Sequence, residues 1–338
     1  MLALYFLWFL AVDVPSQSIA LADLEVYNNW LQVLPADDGS VCLYDAREGR
    51  LVFLDANLKL IAKAGSKGQG PKELSFIRGG YWNPETRLFS LFDVSNKRIS
   101  TWRGNGEHAG NLPLTGFMSD PRYVVGGRYA QLQPRMNGQN HYAIDVVTGE
   151  ICKTIYNLDL SHSHKLTAVP RKKGRPATFS LAWDVNLHYA VGSNFIATLG
   201  GDAKTLVLLD FEGNKLGKGI PFGLPVRPTT KEQGEEVISI VSKRTRGLVR
   251  QHLVQPDHWP MVQGLEIDSQ DRIWAFGQGL QTTSALPFKV FDQHGRLLQD
   301  GVIDRLPVTI RGQTAWFLYA DDQEELHLEK RTLASLLK

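Results

Sequence analysis

The chain has 338 residues, and its hydrophobic content of 43% is sufficient for a large buried core. Its 37 Lys and Arg residues nearly balance its 35 Asp and Glu residues, and the formal charge of +2 gives no support for a nucleic-acid or membrane-surface role. The basic clusters at 171–175 and 243–250 are interpreted as solvated loop surface. We therefore expect no nucleic-acid partner.

Residues 1–22 are predicted to be a signal peptide. The apolar run LALYFLWFLAV is too short to span a bilayer, and the triplet Ala20-Leu21-Ala22 fits signal-peptidase cleavage after Ala22. No Lys or Arg precedes the run, and a buried first strand is the alternative. The prediction places the protein outside the cytoplasm, in the periplasm or secreted, without a stable membrane span. A leader that packs into the fold as a strand would contradict it.

Residues 23–338 repeat one pattern six times: a turn of small or polar residues, an alternating strand, and an apolar strand that ends near a carboxylate. The step from Gly39 to Asp55 is 16 residues, as is the step from Asn194 to Asp210. Constant spacing inside the unit, with longer gaps between units, predicts a single all-β domain, a six-bladed β-propeller of four-stranded antiparallel blades. We expect the N-terminal strand to close the ring by pairing with the last blade.

One inserted α-helix is predicted around residues 230–250. Thr229 or Thr230 can cap its start, acidic residues lie near that end, and basic residues lie near the other. The helix is interpreted either as a lid or as a structural cap over one end of the propeller.

The Gly-rich link between the first two blades carries a family resemblance. The string AGSKGQGPKEL at 64–74 closely resembles the GxxGxGPGEF signature of bacterial exported six-bladed β-propeller proteins, which are related to NHL-repeat and TolB-like propellers. The later strings DHWPMVQGLEIDSQDRIWAF and FKVFDQHGRLL fit the same family, and Lys72 departs from its signature. The resemblance implies the fold and the exported location and leaves the activity open. The link's glycines at 65, 68 and 70 also predict turns with positive φ.

Several recurring residues are interpreted as structural. The two cysteines, Cys42 and Cys152, have no metal-ligand spacing and are expected to be free buried thiols in different blades. Four carboxylates precede Gly- or Asn-containing turns and are expected to accept backbone N–H bonds there: Asp55, Asp145, Asp210 and Asp292. Three tryptophans at strand positions are expected in the core between blades: Trp82, Trp274 and Trp316.

Propellers place function at the mouth of the central channel, where the innermost strands converge. Arg78 and Arg122 lie near the starts of inner strands and are predicted to approach the same entrance. Trp183 and Trp259 precede inner strands after the two longest insertions, so they are predicted to lie on the same rim. Guanidinium groups beside aromatic faces suit a carboxylate-bearing or sugar-like ligand. These four residues are the candidate ligand-binding residues.

The sequence favours a monomeric binding module for an unidentified peptide, carbohydrate or protein partner over two alternatives. A lactonase- or lyase-like propeller would need a central Ca²⁺ held by hard oxygens, and Asp184, Asn186 and Glu266 offer them at no matching register. No G-x-S-x-G, HExxH or Ser/His/Asp order occurs. The other alternative is a structural scaffold. We assign no catalytic residue, metal or cofactor, and the sequence leaves open whether any reaction is catalysed.

Overall fold

The structure, a computed structural model, describes residues 16–26, 31–114, 119–135, 141–159, 167–169, 177–179, 187–200, 205–223, 230–232, 235, 238, 246, 247, 250, 262–277 and 286–337. Within these residues, six four-stranded antiparallel sheets form a ring. The fold is therefore the six-bladed β-propeller that the spacing of the repeats predicts.

Each blade is a meander, so strand order within a sheet follows the chain except where the ring closes. Blade 1 contains β2 (Leu31–Pro35), β3 (Val41–Asp45), β4 (Arg50–Leu54) and β5 (Leu60–Ala64). Blade 2 contains β6 (Ile77–Asn83), β7 (Leu88–Asp93), β8 (Arg98–Trp102) and β9 (His108–Pro113). Blade 3 contains β10 (Ser119–Val124), β11 (Arg128–Arg135), β12 (His141–Thr148) and β13 (Ile151–Asp159).

The remaining blades follow the same order after a short hairpin of β14 (Thr167–Val169) and β15 (Ala177–Phe179). Blade 4 contains β16 (Leu187–Val191), β17 (Ile196–Gly200), β18 (Thr205–Leu209) and β19 (Ile220–Pro221). Blade 5 contains β20 (Val262–Ile267), β21 (Ile273–Gly277), β22 (Leu286–Phe291) and β23 (Leu297–Ile303). Blade 6 combines β24 (Thr309–Arg311), β25 (Thr314–Ala320) and β26 (Leu326–Thr332) with the N-terminal β1 (Gln17–Ala20).

The core lies between neighbouring blades, because both faces of each middle strand are covered. All five residues of β3 are buried, and its side chains alternate between two clusters. Leu43 packs with Trp316 of blade 6, whereas Tyr44 packs with Trp82 of blade 2. Trp82, Trp274 and Trp316 are all buried, as predicted for residues between blades.

The ring closes through β1, which pairs antiparallel with β26 and places Ile19 opposite Leu328. The predicted closure by an N-terminal strand is thus confirmed, but the strand that closes the ring lies upstream of the predicted cleavage point. The prediction that residues 1–22 lie outside the propeller is wrong for Gln17–Ala20 and for the 3₁₀ helix Leu21–Leu24 that follows. Leu21 is fully buried between blades 6 and 1, so cleavage after Ala22 would remove part of the core.

Helical residues occur where the inserted helix is predicted. Ile238 is helical and buried, and the other described helical residues of this segment are Lys231, Glu232, Glu235, Arg246, Gly247 and Arg250. A short helix, Leu333–Leu336, lies near the end of the described chain. Across the part of the chain that the structure describes, none of the helices has the length and hydrophobicity that crossing a bilayer requires.

The Gly-rich link forms a structural loop, and only Gly65 of its three glycines has a positive φ, at 72°. Gly70 instead donates its N–H to Glu73 Oε2 at 2.7 Å, and a Cβ at Gly68 would collide with the same carboxylate. The prediction of positive φ is therefore wrong for Gly68 and Gly70, both of which lie against the Glu73 side chain. Arg98 of blade 2 holds the loop by donating to the Gly70 carbonyl oxygen at 2.7 Å.

Most of the turn carboxylates act as predicted. Asp55, Asp210 and Asp292 each accept two backbone N–H bonds, at 2.8–2.9 Å, from the turns that follow them. Asp145 differs, because it lies buried in β12 at a register shift and accepts a bond from the Thr154 hydroxyl at 2.6 Å.

The cysteine prediction is half correct. Neither Cys42 nor Cys152 forms a disulfide, and Cys42 is buried in the core next to blade 2. Cys152 is exposed, because it lies near the start of the outermost strand of blade 3, where a propeller meets solvent.

Candidate ligand-binding site in the central channel

The inner strands of all six blades surround a cavity of about 330 Å³ on the propeller axis. Each inner strand has one edge without a neighbouring strand, and such an edge presents backbone N–H and C=O groups. Charged side chains line the cavity as well: Arg78, Asp120, Arg122, Glu266 and Arg311. Its aromatic lining consists of Tyr81, Trp82 and Tyr123. The cavity therefore offers ionic, hydrogen-bonding and aromatic contacts to a small molecule.

Irregular strand pairing sets the direction of several of these side chains. The pairing register shifts between Ile77 and Gly80 in blade 2, and between Ser119 and Arg122 in blade 3. A β-bulge redirects side chains and is frequent next to functional sites. Arg78 and Asp120 lie inside these two bulges, so both owe their position at the channel mouth to a local interruption of the sheet.

The two bulges contact each other directly. Gly79 has a φ of 153°, and a Cβ at this position would collide with the ring of Pro121. Asp120, the residue before this proline, has a φ of 48°, a left-handed conformation that is uncommon outside glycine. The close approach of Gly79 and Pro121 therefore fixes Arg78 and Asp120 next to one another on neighbouring inner strands.

Deeper in the channel, Arg122 of blade 3 forms a bidentate ion pair with Glu266 of blade 5. Its Nη1 donates to Glu266 Oε2 at 3.2 Å, and its Nη2 donates to Oε1 at 3.1 Å. Its Nε lies 3.3 Å from Asp120 Oδ1. The backbone N–H of Ile310 in blade 6 approaches Glu266 Oε2 at 3.5 Å. This pair connects three blades and joins two that are not adjacent in the ring.

Burial and charge shift the pKa values in this cluster. Burial raises the pKa of Glu266, and the opposing effect of Arg122 offsets only part of the increase. Burial alone would lower the pKa of Arg122, but Asp120 and Glu266 outweigh it and raise that pKa. The guanidinium thus stays charged and lies between two carboxylates.

Two residues of β16 complete the surroundings of the ion pair. The Tyr189 hydroxyl contacts the carbonyl oxygens of Asp120 and Ala130, and burial, followed by the charge of Asp120, raises its pKa. Burial lowers the pKa of His188 to about 4, although Asp120 and the Val262 carbonyl act in the opposite direction. His188 is therefore neutral at pH 7 and adds no positive charge to the cluster.

The other two cationic side chains of the cavity differ in exposure. Arg78 is exposed, and its guanidinium carbon lies 5.0 Å from the ring centre of Phe76, which is exposed as well. Arg311 is partly buried at the opposite end of the inner strands, where its Nε donates to Asp37 Oδ1 at 2.6 Å. Trp82 donates to the other oxygen of Asp37 at 3.2 Å. Arg311 is therefore part of a structural contact.

The structure brings Arg78 and Arg122 to one cavity, where their sequence positions predict them. Their surroundings differ, because Arg122 is held by two carboxylates and Arg78 is accessible from solvent. Trp183 and Trp259 lie outside the described residues. Sequence reasoning missed Asp120 and the exposed Phe76. The string Asp-Pro-Arg at the start of an inner strand was the available signal for Asp120.

The lactonase-like alternative requires oxygens free to hold a central cation. Both carboxylate oxygens of Glu266 accept bonds from Arg122, while Asp184 and Asn186 lie outside the described residues. Among the described residues, one group could bring three metal-ligand atoms together, and none of its members lines the cavity: Asp321 and Glu325 of the β25–β26 turn and His327 of β26. In the described part of the channel, Glu266 therefore belongs to an ion pair with Arg122 and not to a Ca²⁺ site.

Comparisons with known proteins define the fold class. No protein-family model matches the chain, and no curated protein matches it. A solved structure of a DUF4221 family member from Bacteroides vulgatus is 11% identical, with coverage of 95% of this chain and 98% of that one and a TM-score of 0.57. A candidate exported protein from Bacteroides fragilis is 8% identical, with 91% of each chain covered and a TM-score of 0.48.

A streptogramin B lyase structure is 11% identical, with 94% of this chain and 87% of that one covered and a TM-score of 0.47. At such low identity, a likeness establishes only the shared architecture. The chain is a six-bladed β-propeller with structural neighbours among Bacteroides proteins, and its function has to be argued from its own cavity.

Proposed function

We propose that this propeller is a binding protein whose ligand carries a carboxylate and enters the mouth of the central channel at Arg78. The observation that carries the proposal is the exposed guanidinium of Arg78, which lines the cavity and lies beside the exposed ring of Phe76. A guanidinium matches the two oxygens of a carboxylate in a planar, bidentate arrangement. A cavity of about 330 Å³ is within the usual range for a small-molecule site.

The lining supports a small polar ligand, such as a sugar acid or the carboxyl end of a peptide. Tyr81 and Tyr123 line the cavity with their ring centres 5.8 Å apart, and aromatic faces stack on sugars and on planar groups. Arg122 is not assigned to the ligand here, because Glu266 and Asp120 already bind its guanidinium. We assign Arg122 to the shape of the cavity and Arg78 to ligand capture.

Calorimetric titration of D-glucuronate and of a tripeptide with a free carboxyl end tests the proposal, with D-glucose and the tripeptide amide as uncharged counterparts. We expect at least one acid to bind more tightly than its neutral counterpart, and Arg78→Gln to weaken that binding about 10- to 100-fold, the loss expected for one charged hydrogen bond. Arg103→Gln is the matched control, because Arg103 is exposed in the β8–β9 turn of the same blade. Equal binding of acids and neutral counterparts would contradict the proposal.

We also propose that the protein acts outside the cytoplasm. The packing of Gln17–Ala20 in the ring overturns the leader of residues 1–22, so this proposal rests on a shorter export signal, the apolar run at residues 2–12. Because β1 closes the ring, the mature chain must retain Gln17–Ala20. Cell fractionation followed by mass spectrometry of the N-terminus tests this. We expect an extracytoplasmic protein whose first residue is at or before Gln17, and a cytoplasmic protein would refute the proposed location.

A further inference from the structure

Phe76 is an aromatic residue in contact with solvent. It is 47% exposed, and among the residues whose side chains the structure describes it is the only exposed phenylalanine, tyrosine or tryptophan. The other described aromatic residues are buried or partly buried, as is usual for side chains of this size. Phe76 directly precedes the inner strand β6 and therefore lies at the mouth of the channel.

Hydrogen bonds to both of its backbone groups hold Phe76 in place. Its N–H donates to Asp93 Oδ1 at 3.2 Å, and its carbonyl oxygen accepts the N–H of Val94 at 3.0 Å. Asp93 is fully buried and also accepts a bond from the side-chain amide of Asn96 at 2.6 Å. The ring of Phe76 is therefore exposed on an ordered part of the chain. A side chain on such a support binds a ligand at a lower cost in conformational entropy than one on a loose loop.

The ring of Phe76 lies next to the arginine that is proposed to capture the ligand. The guanidinium carbon of Arg78 is 5.0 Å from the centre of the ring. Farther along the channel, Tyr81 and Tyr123 line the cavity, and their ring centres are 5.8 Å apart. A ligand bound at Arg78 would therefore meet one aromatic ring at the rim and two more inside the cavity.

Resting on the proposed function, we propose that Phe76 is a specificity-determining residue and that the ligand carries a planar aromatic group beside its carboxylate. Contact between two aromatic rings removes apolar surface of both from water and adds the attraction between their faces and edges. Phenylalanine has no polar side-chain atom that could bond the hydroxyl groups of a sugar. The ligand class is therefore an aromatic carboxylic acid, either a small one or the end of a peptide whose last residue is aromatic.

Acids with and without a ring test the proposal on the full chain. One pair is phenylacetate and acetate, and the other is glycyl-glycyl-L-phenylalanine and glycyl-glycyl-L-alanine with free carboxyl ends. Calorimetry measures the dissociation constant of each. We expect at least one aromatic acid to bind about 3- to 10-fold more tightly than its counterpart without the ring, the effect expected of one aromatic pair. Comparing the two pairs separates a small acid from the end of a peptide as the source of the ring.

Variants identify which side chain contacts which part of the ligand. Phe76→Ala should weaken binding of the aromatic acid about 3- to 10-fold and leave binding of its counterpart unchanged, whereas Arg78→Gln should weaken binding of both. Leu112→Ala is the matched control, because Leu112 is 56% exposed on β9, the outermost strand of the same blade. It should change neither. The comparison of probes on the unmodified protein needs no variant, so it holds even where a variant fails to fold.

The outcomes separate the ring contact from the carboxylate site. If both acids of each pair bind equally well, or if Phe76→Ala weakens both equally, the ring contact is overturned, and the carboxylate site stands where Arg78→Gln weakens binding. Tighter binding of D-glucuronate than of both aromatic acids would overturn the ring contact as well. If phenylacetamide binds as tightly as phenylacetate and only Phe76→Ala weakens both, the carboxylate site is overturned and the ring contact stands. If none of the acids binds, both are overturned.

Discussion

At the residue scale, two arginines with similar sequence positions have different roles. Arg78 and Arg122 both follow a link between blades and both line the channel. The side chain of Arg122 is 28% exposed and bound by two carboxylates, whereas Arg78 is exposed next to Phe76. Breaking a buried ion pair leaves an uncompensated charge, which destabilises a protein far more than the loss of an exposed charge.

We predict that Arg122→Ala lowers the free energy of unfolding by about 3–5 kcal/mol, because Glu266 would remain buried without its cation. Arg78→Ala should change it by less than about 0.5 kcal/mol, as is usual for a surface substitution. Urea unfolding of both variants measures the difference.

A double-mutant cycle with Glu266→Ala provides the control. Each single substitution should lower the free energy of unfolding by more than half as much as the double substitution does. The reason is that removing both charges leaves neither of them unpaired. Strictly additive effects would show that Arg122 and Glu266 do not stabilise each other.

At the scale of elements, the short strand β1 completes the last blade and closes the ring. Four residues, Gln17–Ala20, pair with β26 and give blade 6 its fourth strand. The 3₁₀ helix after β1 buries Leu21 and Leu24 against blade 1. Without this segment, the last blade would expose an unpaired edge and the contact between blades 6 and 1 would lose part of its apolar surface.

We predict that a variant of the chain beginning at Gln17 unfolds at the same temperature as the full chain. In a variant beginning at Asp23, the free energy of unfolding should be lower by at least about 3 kcal/mol. The burial of Leu21 alone contributes about 1.5–3 kcal/mol, and the burial of Ile19 adds to it. Thermal unfolding followed by circular dichroism compares the two. Equal melting temperatures would show that β1 is dispensable and would restore cleavage after Ala22.

At the scale of the whole molecule, His188 links stability to pH. Burial lowers its pKa in the folded protein from 6.5 to about 4. Between these two pH values, the unfolded chain binds a proton at this residue that the folded protein does not. The free energy of unfolding therefore falls as the pH drops from about 6.5 to about 4, by at most about 1.4 kcal/mol per pH unit from this residue.

We predict that His188→Gln reduces the pH dependence of stability over this interval, because it removes the proton that only the unfolded chain binds. Urea unfolding at several pH values between 4 and 6.5 measures the slope. His294→Gln, in an exposed turn of blade 5, is the control and should leave the slope unchanged. A slope that is the same in His188→Gln and in the full wild-type chain would contradict the prediction.

The sequence predicted the architecture well because repetition is a local property. The turn carboxylates Asp55, Asp210 and Asp292 recur next to buried strands, and each fulfils its role within five residues of chain. The same reasoning erred at Asp145 and Cys152, where position in the blade, rather than the local pattern, sets burial. The candidate site was predicted in part, since the sequence indicated Arg78 and Arg122 but not Asp120.

Spacing along the chain was enough to predict the number of blades, the antiparallel meander and the approach of two arginines to one channel. Which carboxylate pairs with which arginine depends on how the blades are arranged in three dimensions. Arg122 and Glu266 are 144 positions apart and meet because ring closure brings blades 3 and 5 to a common axis. The sequence predicted that an N-terminal strand closes the ring, but the structure was needed to show that this strand is Gln17–Ala20.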